Sequence, residues 1–247
     1  MGRAFEFRKA RKLKRWGNMA RTFTRYGKQI AIAVRAGGPD PDNNPHLRAI
    51  IASAKSENMP KDNIDRAIRN AMGKNENDFK EMNYEGYGPF GIAILVETAT
   101  DNTTRTVADV RSVFNKFSGT LGTTGSLDFM FTHKSMFTVA LKEGLNVDDL
   151  ILDMIDLGVE DEYDLDEEEG ELTIYGLPKS FNAIQKYLED NGFEVRTAEF
   201  TRIPNDIKEV TPEQRETIDK MVERLEDDED VQNVYTNMAP APEEEGE

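Results

Sequence analysis

The chain has 247 residues, no cysteine, two histidines and a formal net charge of −16. The missing thiols exclude disulfides and thiolate metal sites, and two imidazoles in separate segments leave zinc sites and His-based triads without their parts. A hydrophobic content of 38% beside 32% charged residues fits small domains with much surface, and no apolar run approaches the roughly 18 residues of a membrane-spanning helix.

The net charge hides a polarity. Residues 1–74 carry 17 Lys or Arg against 6 acids, a net of +11, and the remainder carries a net of −27. Screening acts over about 8 Å at physiological salt, so a distant acidic domain does not cancel a local basic face. Met1 to Arg15 is acid-poor and basic, with Arg8, Lys9, Arg11, Lys12, Lys14 and Arg15; it reads as an arm that orders on a polyanion. Its Arg content imitates a mitochondrial transit peptide, but the first serine is Ser53, so a cytoplasmic protein is the expectation.

The stretch from Arg8 to Arg35 reads as the organising helix. Met19, Phe23, Tyr26, Ile30 and Val34 recur at helical steps and define one apolar stripe. Arg21, Arg25, Lys28 and Arg35 follow nearly the same steps two positions away, about 200° around the axis, so they are expected opposite the buried stripe. Ala36-Gly37-Gly38-Pro39 stops the helix. Asn44 as N-cap and Pro45 at the first position start a second helix, buried through Leu47, Ile50, Ile51 and Ala54, with Arg48 and Lys55 outside that stripe. Pro60 opens a third, buried through Ile64, Ala67, Ile68 and Ala71, with Arg66 and Arg69 on its exposed side. Three such helices joined by short loops predict a small bundle.

Asn75 to Met82 reads as a linker. The glycine-rich Tyr84 to Gly91 leads into the buried strand Ile92 to Val96, a helix capped at Asp101-Asn102-Thr103, and a strand over Leu127 to Phe131. Met136 to Leu141, Val147 to Leu157, Val159 to Tyr163, Leu172 to Tyr175, Lys179 to Asn191 and Phe193 to Arg202 give the order βαββαβ, a split-βαβ, ferredoxin-like signature. Helix Pro212 to Leu225 and strand Val231 to Tyr235 are too small to bury a core alone and are expected to return to the Tyr84 to His133 unit. The last residues form an acidic tail.

The chemistry-bearing motifs are weak. Gly86, Gly88 and Gly91 match G-x-G-x-x-G in letters, but a strand follows instead of a helix and Pro89 removes an amide donor, so a dinucleotide site is rejected. Gly119 to Ser126 resembles a backbone nest for an anion; no Gly-Lys-Ser/Thr is present, and a plain helix-to-strand loop is favoured. Asp164, Asp166 and Glu168 begin like a calcium loop, yet Gly and Glu fall at the wrong positions for one, which leaves a solvated hairpin. No catalytic residues, metal ligands or cofactor-binding residues are assigned.

Several blocks resemble one family. Gly37-Gly38-Pro39-Asp40-Pro41, Asn44-Pro45-His46-Leu47-Arg48, Asn58 to Ile68, Tyr84 to Pro89, Thr100-Asp101-Asn102 with Arg105-Thr106, and Asp230 to Asn237 are similar to the YebC/PmpR family of probable transcriptional regulatory proteins. Members usually begin Gly-His-Ser-Lys-Trp, whereas this chain has Gly2-Arg3-Ala4-Phe5-Glu6-Phe7. The resemblance implies a helical first domain and two α/β domains, in bacterial cytoplasm, with relatives among mitochondrial translational activators of cytochrome c oxidase. It implies either a DNA-binding transcriptional regulator or a translational activator at the ribosome.

The expectation is therefore an α+β multi-domain protein: a basic helical domain over 1–76, a discontinuous α/β domain over 77–133 plus 204–238, a βαββαβ domain over 134–203 inserted into it, and an acidic disordered tail over 239–247. The expected function is non-enzymatic regulation of gene expression by nucleic-acid binding, with DNA, or structured RNA and the ribosome, as partner. The cations that grip phosphates would be those of the arm together with Arg21, Arg25, Lys28, Arg35, Arg48, Lys55, Arg66 and Arg69. Acidic domains touching basic ribosomal proteins, or an acidic interaction scaffold, are the alternatives.

Overall fold

The computed structural model describes residues 19–73, 78–142 and 144–241. The elements in chain order are α1 (Met19–Gly37), α2 (Pro45–Ser56), α3 (Lys61–Ala71), β1 (Lys80–Tyr87), β2 (Ala93–Thr100), α4 (Thr103–Lys116), β3 (Thr120–Leu121), β4 (Phe131–Ala140), α5 (Val147–Met154), β5 (Val159–Asp166), β6 (Glu171–Gly176), α6 (Phe181–Asp190), β7 (Val195–Pro204), α7 (Pro212–Glu226) and β8 (Val231–Thr236). The protein is α+β, with two four-stranded sheets in the orders β3-β1-β2-β8 and β5-β6-β4-β7. The described residues divide into two compact units: 26–73 with 133–202, and 19–25 with 78–132 and 203–241. The arm over 1–15, the linker residues 75–77 and the end of the acidic tail lie outside the described residues.

The first unit contains two short helices whose starts are written in the sequence. Gly38 takes φ +88 and donates its N–H to the Val34 carbonyl at 2.8 Å, which closes α1 in the left-handed conformation that glycine adopts without strain. Buried Asn44 then ties two helices together. Its Nδ2 donates to the carbonyls of Ala33 and Gly38 at 2.8 and 2.9 Å, and its Oδ1 accepts the N–H of Leu47 at 3.1 Å. One side chain thus binds a carbonyl in the last turns of α1 and that of Gly38 just beyond it, and caps α2. Leu47, Ile50, Ala54, Met59, Ile64 and Ala71 are buried, and Ala67 and Ile68 are half-buried.

The sheet of this unit follows the split-βαβ order, β4-α5-β5-β6-α6-β7. Alternation sorts its side chains: Phe137 and Val139 of β4 join Leu172 and Ile174 of β6 and Leu150, Ile151, Met154, Phe181, Ile184 and Leu188 of the two helices in one core. The intervening Thr138 and Thr173 share a hydrogen bond of 2.9 Å. Ala49 of α2 belongs to the same core, and Ser53 accepts the Ala198 N–H of β7 at 3.0 Å.

The second unit is built on β2, whose apolar run is buried on both faces. Ile94 and Val96, with Ile92 just before the strand, meet Val110 and Phe114 of α4 and Ile218, Met221, Val222 and Leu225 of α7. Ala93 and Leu95 point the other way, toward Leu127, Phe131 and Tyr235. β8 pairs with β2 antiparallel.

Three local expectations change. Met19 is 63% exposed, so the buried stripe of α1 begins at Thr22 and continues through Tyr26, Ile30, Ala33 and Val34. Lys80 to Met82 is not linker: it opens β1, which pairs with β2 through Lys80↔Thr100. Its exposed, polar first residues gave no alternation to read. Leu127 to Met130 is turn rather than strand, because the N–H of Leu127 goes to the Glu85 carboxylate at 2.6 Å and is lost to any ladder. β4 then starts at Phe131 and runs unbroken through Met136.

Candidate nucleic-acid interface

Four cations and no acid lie on α1. They do not share one environment. Arg21 forms an ion pair with Asp227, and Arg25 Nη1 approaches the Gln232 carbonyl at 3.5 Å. Arg25 and Lys28 are half-buried, and Arg35 is exposed. At least the first two therefore hold structure within the second unit, beside whatever else they do.

Arg48 is the clearest case of a cation used internally. Its Nε and Nη2 meet the two Glu189 oxygens at 2.8 and 2.9 Å, and its Nη1 donates to the Pro41 carbonyl at 2.7 Å. This is the bidentate geometry in which guanidinium and carboxylate bind most firmly. Burial alone raises the Glu189 carboxyl, but hydrogen bonds from Arg48 and Gln185 hold it below the ordinary carboxylate value. The pair joins the start of α2 to α6, and Arg48 has little charge left to offer a phosphate.

Lys55, Arg66 and Arg69 differ from it. All three are exposed, and they have no ion pair among the described residues. Lys61, which the apolar pattern did not single out, is exposed in the first turn of α3 and equally unpaired. Asp62 shares the α3 face with Arg66 and Arg69, since steps of four and seven residues return to nearly the same angle. The exposed surface of α2 and α3 is therefore cationic but not uniformly so. Arg8, Lys9, Arg11, Lys12, Lys14 and Arg15 lie outside the described residues.

The glycine-rich loop after α4 resolves into an anion site that the protein fills itself. Glu85, 3% exposed, accepts the N–H of Gly125 at 2.8 Å with one oxygen and that of Leu127 at 2.6 Å with the other. Its own carbonyl accepts the Gly122 N–H at 2.7 Å. A carboxylate held by backbone donors needs no external phosphate. Gly86 is required beside it: a Cβ there would lie 2.4 Å from the Thr120 carbonyl oxygen. Gly88 and Gly91 belong to the tight β1–β2 connection, where Gly91 takes φ +71.

The Thr-Asp-Asn and Arg-Thr block forms a second internal knot. Asp230, with a side chain 4% exposed, accepts from Thr100 at 3.0 Å, Thr106 at 2.8 Å and Arg105 at 2.6 Å. Arg105 also reaches Asp101 at 3.0 Å. Asn102 caps α4 by accepting the Arg105 N–H at 3.1 Å. These residues join β2, α4 and the start of β8. Thr100, Arg105 and Thr106 thus converge on one buried carboxylate.

His46 packs against Phe181 and Phe200, at ring-centroid distances of 6.2 and 6.3 Å, and burial lowers its imidazole below the usual value. It is a packing histidine. No group of three or more potential metal ligands occurs among the described residues, and none of their helices is long and apolar enough to cross a membrane.

The arrangement defines a class: an α+β protein with internally satisfied anion motifs and exposed cations on short helices of its basic N-terminal third. Comparison with known proteins assigns the family. The TACO1/YebC N-terminal domain model matches residues 3–74, and the TACO1/YebC second and third domain model matches residues 79–238. The chain belongs to the TACO1/YebC family. It is 78% identical over 244 residues to a protein of Bacteroides fragilis named as a probable transcriptional regulatory protein, covering 99% of both chains. A Phocaeicola vulgatus protein of the same name is 71% identical, with 99% of this chain and 100% of that one covered. Among solved structures, a conserved hypothetical protein from Aquifex aeolicus superposes with a TM-score of 0.74 at 34% identity, over 92% of this chain and 93% of that one.

Proposed function

We propose that the protein is a non-enzymatic, cytoplasmic regulator of gene expression that binds nucleic acid through its basic N-terminal third, with DNA as the leading target. The observation that supports this most directly is the exposed set Lys55, Lys61, Arg66 and Arg69, without an ion pair among the described residues and carried by a segment of net charge +11. Relatives named as probable transcriptional regulatory proteins agree with it. The proposed domain layout is a helical domain over 1–76 and two α/β domains, the third inserted into the second.

A second reading, contact with structured RNA at the ribosome, is favoured by Asp62. This carboxylate, on the same face as Arg66 and Arg69, opposes deep entry of α3 into a duplex groove and suits a contact confined to the backbone. Fluorescence anisotropy against a DNA duplex and a ribosomal RNA helix, over a range of salt, tests both. Steep loss of affinity with salt supports phosphate binding, and the tighter ligand separates the targets. No saturable binding to either overturns the proposal.

A further inference from the structure

The acidic half of the molecule carries a face on α5 that is exposed among the described residues. Leu150, Ile151 and Met154 of this helix are buried in the core of its unit. Leu152 is 68% exposed, and Ile155, in the turn that continues the helix, is 46% exposed. At about 100° per residue, Leu152 and Ile155 fall within one turn of each other on the outer arc, and Asp148, Asp149, Asp153 and Asp156 occupy the same arc. All four carboxylates are exposed. Asp148 accepts the Tyr163 hydroxyl at 2.9 Å, whereas Asp149 and Asp156 have no ion pair among the described residues.

A third apolar side chain extends this surface. Leu177 is 44% exposed and donates its N–H to the Gly158 carbonyl at 2.9 Å, while Gly158 donates to Ile155 at 2.8 Å. The glycine at 158 takes φ +91, and a Cβ there would come within 3.4 Å of the Leu177 side chain. The turn that ends α5 therefore links Leu177 to Ile155 through two backbone hydrogen bonds, both made by Gly158.

Leu152 and Ile155 lie outside the core and place apolar surface among carboxylates on one arc of the helix. The acids also fix the chemistry of what covers them. A nucleic acid is repelled, and an uncharged apolar segment would strip four carboxylates of water without replacing it. A segment bearing leucine-like side chains among lysines and arginines satisfies both.

We propose that the Leu152–Ile155–Leu177 surface is a docking site for a basic amphipathic segment of another protein. The site is independent of the nucleic-acid interface: none of its residues is among the cations proposed there. The apolar side chains supply the contact that survives salt, and Asp149 and Asp156 supply attraction that salt weakens.

The test uses the full-length protein and two fluorescently labelled synthetic helices of equal charge, one of Leu and Lys, the other with each Leu replaced by Ser. At physiological salt the Leu/Lys helix is expected to bind at least about tenfold more tightly than the Ser/Lys helix. The triple variant Leu152→Ser, Ile155→Ser, Leu177→Ser, which changes only exposed side chains, should remove that difference while leaving the Ser/Lys helix unaffected. Asp149→Asn with Asp156→Asn should weaken both helices and flatten their salt dependence. Equal binding of the two helices to the natural chain, which means attraction by diffuse acidity alone, or a preference that persists in the triple variant, which places the apolar contact elsewhere, overturns the proposal.

Discussion

The loop after α4 and the helix α3 make opposite impressions in sequence and in structure. The loop has the glycines of an anion site, yet its donors at Gly125 and Leu127 are taken by Glu85. The helix has an ordinary amphipathic pattern, yet Lys61, Arg66 and Arg69 stand exposed, with no ion pair among the described residues. The difference teaches that an anion-binding motif has meaning only after the protein's own carboxylates have been placed. It also separates cations by use: Arg48 is spent on Glu189, and Arg66 and Arg69 are not.

The largest effect is expected where an internal anion is removed. Glu85→Ala leaves two backbone N–H groups without their acceptor and should cost about 2–4 kcal/mol, read as a fall in the urea midpoint, with Glu85→Gln intermediate. Asp230→Ala, which strands Thr100, Thr106 and Arg105, belongs in the same range. If either variant instead exposed a phosphate-binding loop, affinity for nucleic acid would rise; the expected change is none.

Reversal of the exposed cations comes next and acts on binding alone. Arg66→Glu with Arg69→Glu should weaken nucleic-acid binding about tenfold or more while shifting stability by no more than about 0.5 kcal/mol. Arg21 and Arg25 are poorer probes, because their contacts with Asp227 and Gln232 make a binding defect inseparable from a folding one. Arg48→Ala should do the reverse of the α3 variant: about 1 kcal/mol of stability for this partly exposed pair, and binding within about twofold of the natural chain.

The smallest effect is a pH dependence. His46 has a folded-state value below its unfolded value near about 6.5, so the unfolded chain takes up the proton first as the solution is acidified. Stability is full above that value and falls as pH drops through it toward the lower folded value. His46→Phe should remove this loss, measured as the melting temperature between about pH 7 and pH 5.

Much of the fold was legible where local chemistry is unambiguous. Asn44-Pro45 marked the start of α2 and Asn102 that of α4, because a side-chain cap leaves a short, specific signature. The run Ile92 to Val96 announced a strand buried on both faces. Beyond these caps and runs, the signal lay in long-range pairings. β1 is polar where it begins, and only its pairing with β2 makes it a strand. Leu127 looked like strand because its apolar side chain is buried, but the fate of its N–H depends on Glu85, distant in sequence. The same limit applies to the candidate site. Sequence located the cations, and only structure could show that Glu189 claims one of them.

The central claim, that exposed cations of α2 and α3 bind phosphates, is tested most directly by the slope of log affinity against log salt. The natural chain should give a steep negative slope with DNA or structured RNA, and the Arg66→Glu, Arg69→Glu variant a slope shallower by about 2. A slope unchanged by the double reversal, or nearly flat in the natural chain, would contradict it.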